Sequence, residues 1–335
     1  MVAAENSKER TVDKMSQKNK KAYYAELESK LPERYTIDGE IGKGGFATVF
    51  NARDQIIDRQ IAIKVLELEQ YDEGSEELER ALKRFLREAR VAARVSHPSV
   101  IDIYDFGLLE GEDVPYIVME FLEGYNLYRQ LQNEGPIPPS WLLPNYCDIL
   151  DALGEVHVHN IVHKDLKPGN IFLNKPQTRR EVWKIVDFGI AHVDSPEGGA
   201  RLTKTGFLSG TPQYLPPEYI QEQKVSPQMD VYQMALTLVE ALCGEPVVGE
   251  RKPFKAAMMH VEGKLDIDES LWASPLGPVL EKALATDAND RYATGLEFAD
   301  ALAAVDVHAV PSFAREEERS RQRTAKWAAI EGPKG

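Results

Sequence analysis

Cysteine is nearly absent from this chain of 335 residues, which holds only Cys147 and Cys243. Two are too few for a disulfide scaffold and lack the ligand spacing of a zinc site, so a reducing compartment is expected and neither cysteine needs a function. Long apolar runs are missing too. The N-terminus opens Met-Val-Ala-Ala-Glu and soon becomes Lys-rich, without the apolar core of a signal peptide. No later stretch reaches the roughly 18 apolar residues of a membrane span, so a soluble, cytoplasmic chain with no membrane segment is expected. Glycine (23) and proline (20) are too scarce for a collagen-like or low-complexity chain, and 43% hydrophobic residues suit a globular core. An excess of basic charge is lacking. Fifty-four acidic residues against 40 basic give −14, which argues against bulk affinity for nucleic acid or an anionic membrane and leaves only local basic grooves.

At roughly 150 residues per domain, the length fits two domains or one two-lobed domain. Residues 1–33 are rich in Lys and Glu and poor in large apolar side chains, so they are expected to form a flexible or loosely helical extension outside the fold. From Tyr35 onward short β-like runs follow, at Tyr35 to Ile41, Thr48 to Ala52, Ile61 to Val65, Val100 to Phe106 and Tyr116 to Phe121. Leu78, Leu82, Phe85, Leu86, Ala89 and Ala92 recur at helical spacing and predict one amphipathic helix, the only long one expected before residue 125. Beyond it, helical periodicity returns in Trp141 to His157. A nearly continuous apolar segment from Met229 to Cys243, closed by Gly244, reads as a buried helix. A strand-rich front and a helical remainder predict an α+β protein with two unlike lobes. The charged stretch 309–335 reads as a solvated tail.

Several short motifs carry chemistry. Ile41-Gly42-Lys43-Gly44-Gly45-Phe46-Ala47-Thr48-Val49 is a glycine-rich turn, where missing Cβ atoms let backbone N–H groups approach phosphate oxygens. A plain hairpin turn is the alternative. A strand follows rather than a helix, which disfavours a dinucleotide fingerprint. Lys64 sits in an otherwise apolar strand. Glu88 lies three residues after Phe85 and four before Ala92, beside the helix's apolar stripe, where a carboxylate needs a cation. Lys64 could supply it, or Arg84 could pair with Glu88 on the surface for a few tenths of a kcal/mol. His163-Lys164-Asp165-Leu166-Lys167-Pro168-Gly169-Asn170 places a carboxylate and an amide on one loop, suited to a base and a metal ligand. Asp187-Phe188-Gly189 follows another short strand, and Asp187 with Asn170 makes a hard-oxygen pair suited to Mg²⁺ held together with phosphates.

In this order the motifs resemble the eukaryotic-type (Hanks-type) serine/threonine protein kinases, in particular their bacterial members, over about residues 34–308. The resemblance implies a two-lobed kinase fold: a β-rich N-lobe with hinge at 34–122 and a helical C-lobe at 123–308. It implies ATP and Mg as cofactors and transfer of the γ-phosphoryl group to Ser or Thr hydroxyls of protein substrates. Asp165 matches the catalytic base, with Lys167 and Thr211 beside it. Lys64 matches the phosphate-pairing lysine and Glu88 its helix partner. Gly42, Gly44 and Val49 match the phosphate-covering loop. Ala62, the gatekeeper-like Met119, and Glu120 to Leu122 match the nucleotide pocket and hinge. Asn170 and Asp187 match the metal ligands. Gly210-Thr211-Pro212 and Pro216-Pro217-Glu218 match the end of the activation segment. Asp230 matches the buried anchor of the catalytic loop, and Arg291 the partner of Glu218. A second Asp-Phe-Gly string, Asp105-Phe106-Gly107, comes too early in the order and is read as a strand end.

Ala47 in place of the third glycine and Pro216 in place of alanine are mild departures from the pattern. Lys164, where the family carries arginine, is the weightier one, because lysine offers a point charge where arginine grips phosphate bidentately. By the same resemblance Ile190 favours threonine acceptors. Thr203 and Thr205 match autophosphorylated threonines, with Lys164, His192 and Arg84 as the basic partners, and a transient homodimer is implied for that step. No nucleic-acid partner is expected. A catalytically weak kinase-fold scaffold would be favoured had Lys64, Glu88, Asp165, Asn170 or Asp187 been lost, and a small-molecule phosphotransferase had the segment from Gly210 to Glu218 been missing; none is absent.

Overall fold

A computed structural model describes residues 17–43, 47–66, 75–176, 180–187, 211–250 and 252–314. The chain divides into two compact units, Met1–Ala89 with Ile103–Phe121, and Arg90–Asp102 with Leu122–Gly335.

The first unit is built on an antiparallel sheet of five strands, β1 (Tyr35–Lys43), β2 (Ala47–Asp54), β3 (Arg59–Leu66), β4 (Ile103–Leu108) and β5 (Pro115–Glu120), in the order β1-β2-β3-β5-β4. Side chains alternate across a pleated strand. One face therefore gathers Phe50 and Ala52, Ile61, Ile63 and Val65, and Tyr116 and Val118 into a buried cluster. The other face carries Val49, Ala62, Lys64 and Met119.

Leu27 and Leu31 belong to the same cluster, and this corrects the expectation of an extension outside the fold for residues 17–33. Residues 17–29 form helix α1 (Gln17–Ser29), so the amphipathic helix α2 (Glu76–Ala92) is not the only long one before residue 125. Phe50 meets the rings of Tyr23 and Tyr24 at 6.4 and 6.0 Å. β1 is an edge strand, and Glu28 of α1 accepts the backbone N–H of Ile37. The Lys30 carbonyl also accepts the N–H of Glu110 at 2.8 Å. Tyr24, Leu27 and Leu31 are a stripe at spacings of three and four, too sparse among Lys and Glu to read as a core element until the sheet face it covers is known. Residues 1–16 lie outside the described residues.

In the second unit, α6 (Pro227–Cys243) is the centre. Every residue from Met229 to Leu242 is buried, and the helix closes at Gly244 with φ +86°. The unit's other helices are α3 (Leu127–Glu134), α4 (Pro139–Val158), α5 (Pro217–Glu222), α7 (Pro253–Val261), α8 (Glu269–Trp272), α9 (Gly277–Ala283) and α10 (Gly295–Ala303), of which α4, α9 and α10 pack on α6. Helix α4 meets α10 so closely that a Cβ on Gly295 would stand 2.6 Å from the Leu150 carbonyl oxygen. A small sheet, β6 (Gly124–Asn126), β7 (Ile171–Asn174) and β8 (Val182–Ile185), completes the unit. The chain crosses from the first unit to the second at Phe121 and Leu122, within the expected hinge. Among the described residues no helix is long and apolar enough to cross a membrane. The tail lies outside the described residues from 315 onward.

Candidate active site

Strand pairing in the first unit assembles one set of expected residues. Val49 stands opposite Lys64 across β2 and β3, and Ala62 stands opposite Met119 across β3 and β5. Cross-strand partners share a face, as do residues two apart, so the four form one patch with Lys64 as its only charge. Gly42 pairs with Val49 at the end of β1, and Glu120 pairs with Ile61. Gly44 falls outside the described residues. Glu88 is placed on α2 by its backbone, but its side chain and that of Arg84 are not among those described, so the expected pairing with Lys64 has no geometry here. The early Asp105-Phe106-Gly107 string is structural: Tyr35 donates to Asp105 at 2.8 Å, and a Cβ at Gly107 would meet the Tyr116 ring.

In the second unit the loop before β7 concentrates the chemistry. Lys167 Nζ donates to Asp165 Oδ2 at 2.7 Å and to Thr211 Oγ1 at 3.1 Å, so the ammonium itself bridges the two. Asn170 Nδ2 donates to the Asp165 carbonyl oxygen at 2.7 Å and to Asp165 Oδ2 at 3.1 Å. Both partners are acceptors only, which fixes the amide and turns Asn170 Oδ1 away from Asp165. The Asn170 carbonyl accepts the N–H of Val186 at 3.0 Å, and so Asp187 follows directly on Asn170's backbone partner. Asp187 has φ +56°, an uncommon conformation for a non-glycine residue. An amide oxygen and a carboxylate are hard donors of the kind that would hold Mg²⁺, and Asn170 and Asp187 would supply them here.

What holds the loop is buried and polar. Asp230, fully buried on α6, accepts the backbone N–H of His163 at 2.7 Å and of Lys164 at 2.9 Å. Lys164 has φ +71°, and these bonds over-determine that conformation. His157 adds a third bond to Asp230, at 3.0 Å. Its Nδ1 accepts the Gly295 N–H at 3.2 Å, so the proton lies on Nε2 and points at the carboxylate. Burial holds the His163 imidazole below its ordinary value despite Asp230 beside it, and its Nε2 meets the Val186 carbonyl at 3.0 Å.

Two further anchors fix the segment after Thr211. Tyr214 donates to the buried Glu240 at 2.6 Å, and burial pushes that carboxyl above the usual carboxylate range. Arg291 holds Glu218 bidentately at 2.8 Å in both bonds. Its remaining N–H groups reach the carbonyls of Ala285, Gln228 and Thr286, so all five donors are used. His157, Glu240 and Gln233, another buried polar residue on α6, do not stand out in the sequence. The only available signal is a polar side chain inside an apolar helical run. Thr203, Thr205, His192, Ile190 and Gly210 lie outside the described residues.

The family model for the protein kinase domain matches residues 35–304. The chain belongs to the protein kinase family. It is similar to the serine/threonine-protein kinase PknB of Mycolicibacterium smegmatis, 35% identical over 273 residues, which cover 80% of this chain and 42% of that protein. PknB of Mycobacterium tuberculosis is 34% identical over 317 residues, covering 91% and 49%. The chain thus spans half or less of the length of these relatives. Among solved structures, the kinase domain of Mycobacterium tuberculosis PknI superposes with a TM-score of 0.59 at 26% identity, covering 81% of this chain and 94% of that one. The two-lobed kinase fold follows, with a β-sheet lobe and a helical lobe.

Proposed function

We propose that the chain is an ATP- and Mg²⁺-dependent serine/threonine protein kinase that also autophosphorylates its activation segment. The observation that carries this is the Asp165 carboxylate, gripped at Oδ2 by Lys167 and Asn170 on a loop anchored to Asp230. Asp165 accepts the proton of the substrate hydroxyl and orients it for attack. Lys167 fixes the carboxylate's rotamer and supplies positive charge beside the transferring group. Its second bond, to Thr211, couples this placement to the segment that docks the acceptor. Lys64, on its sheet face, pairs with nucleotide phosphates. Asn170 and Asp187 would hold Mg²⁺, which when bound neutralises charge on the phosphates.

The substrates are proteins with Thr or Ser acceptors, threonine preferred, and a transient homodimer serves autophosphorylation. The reading extends to a reducing, cytoplasmic setting. In support, both cysteines are free and burial raises each thiol to about 11, so neither is poised to react.

The test is incubation of the purified chain with labelled ATP and Mg²⁺ beside Asp165→Asn, followed by mapping of phosphorylated residues. Label on Thr or Ser in the wild type, reduced roughly 10²- to 10⁴-fold in the variant, is expected. Equal labelling of the two would sink the assignment.

A further inference from the structure

We propose that Gln233 is a positioning residue that sets the backbone of Asp165 and ties it to the acceptor-docking segment, an inference that rests on the kinase reading above. Gln233 lies on α6 one helical turn after Asp230, on the same side of the helix, and is 1% exposed. Its Oε1 accepts the N–H of Leu166 at 3.0 Å, and its Nε2 donates to the Lys164 carbonyl at 3.1 Å and to the Tyr214 carbonyl at 3.2 Å. Two partners are pure acceptors and one is a donor, so the amide can point only one way.

The chemistry of those partners gives the residue its role. The Lys164 carbonyl and the Leu166 N–H belong to the two peptide planes that meet at the Asp165 Cα. One side chain therefore holds both planes and, with them, the direction in which the Asp165 side chain leaves the backbone. Asp230 fixes the loop just upstream, through the N–H groups of His163 and Lys164, but touches neither of the two groups that Gln233 holds. The third bond reaches Tyr214, which closes the turn Pro212–Tyr214 that follows Thr211. Thr211 and Tyr214 thus give this segment two ties to the catalytic loop, one through Lys167 and one through Gln233.

In a buried network every partner counts, because a lost bond leaves unpaired groups that water cannot reach. Gln233→Glu keeps the acceptor for Leu166 but turns a carboxylate on two carbonyl oxygens. Gln233→Ala removes all three bonds. Misplacing a catalytic group by about 1 Å is enough to cost on the order of 10²-fold in rate.

The experiment measures kcat, the KM for ATP and the melting temperature for the full chain, Gln233→Ala and Gln233→Glu, each also in the Asp165→Asn background. Expected is a fall in kcat of about 10- to 100-fold with the KM for ATP held within about twofold, and little further fall when Asp165 is already Asn. A role confined to folding would instead lower the residual rate of Asp165→Asn by the same factor, and that result overturns the proposal. An active wild type with variants within twofold of it in kcat overturns it as well, leaving the kinase reading intact. A wild type that transfers no phosphoryl group overturns both. Should Gln233→Ala and Gln233→Glu not fold, Gln233→Met fills the volume without the bonds, and the same comparison with and without Asp165→Asn decides.

Discussion

The two units carry their candidate chemistry in opposite ways. In the first, Val49, Ala62, Lys64 and Met119 stand on a regular sheet face, placed by strand pairing alone, while the apolar cluster that stabilises the unit occupies the other face. In the second, Asp165, Lys167 and Asn170 stand on an irregular loop whose backbone is held by Asp230 and Gln233, buried on α6. A sheet separates function from stability by its two faces. A loop lacks that separation, since the groups that hold its strained backbone are themselves part of the core. Substitutions on the Lys64 face of the first unit's sheet should therefore remove activity without unfolding, and substitutions beneath the loop should do both.

The largest expected effect is at Asp230. Asp230→Ala leaves the N–H groups of His163 and Lys164 and the Nε2–H of His157 without their acceptor, at about 1–3 kcal/mol for each buried group. Urea denaturation should show a loss of several kcal/mol, with phosphoryl transfer lost alongside. Lys64→Met and Asp187→Asn should each reduce transfer by roughly 10²- to 10³-fold, with the circular dichroism spectrum preserved. The Lys64 variant is the sharper of the two, because its melting curve should stay close to wild type. If it unfolded as readily as Asp230→Ala, the contrast between face and loop would collapse.

Helix α1 tests the apolar face. Leu27→Ala should cost about 2–4 kcal/mol in chemical denaturation, as for a leucine in a packed core. A loss within a few tenths of a kcal/mol would return residues 17–29 to the status of an appendage.

The smallest effect concerns pH. Burial holds His260 down at about 4 against an ordinary 6.5, with the Tyr232 hydroxyl 2.9 Å from its Nδ1. Between those values the unfolded chain binds a proton that the folded chain does not, so the contribution is present above pH 6.5 and is lost as the pH falls toward 4. Compared with His260→Phe, the wild type should lose about 2 kcal/mol more between pH 7 and pH 4.5. Parallel losses in the two proteins would show that His260 does not titrate in this window.

Much of this was legible in the residues themselves. The five strands of the first sheet, helix α2 and the buried α6 follow from periodicity, because burial on one face or all round writes itself into the apolar pattern. The order of Lys64, Glu88, Asp165, Asn170 and Asp187 pointed to the family before any contact was known. The sequence alone singled out the residues proposed to carry the chemistry, since each needs a particular functional group and a fixed place along the chain. Tertiary structure alone decided that α1 belongs to the core, that Lys167 links Asp165 to Thr211, that His157 backs Asp230, and that Gln233 holds the loop. Several of those roles depend on partners far away in the chain, such as Gly295, 138 residues from His157, and Tyr214, 19 residues from Gln233, and hydrogen bonds between distant segments leave no period for a linear pattern to reveal.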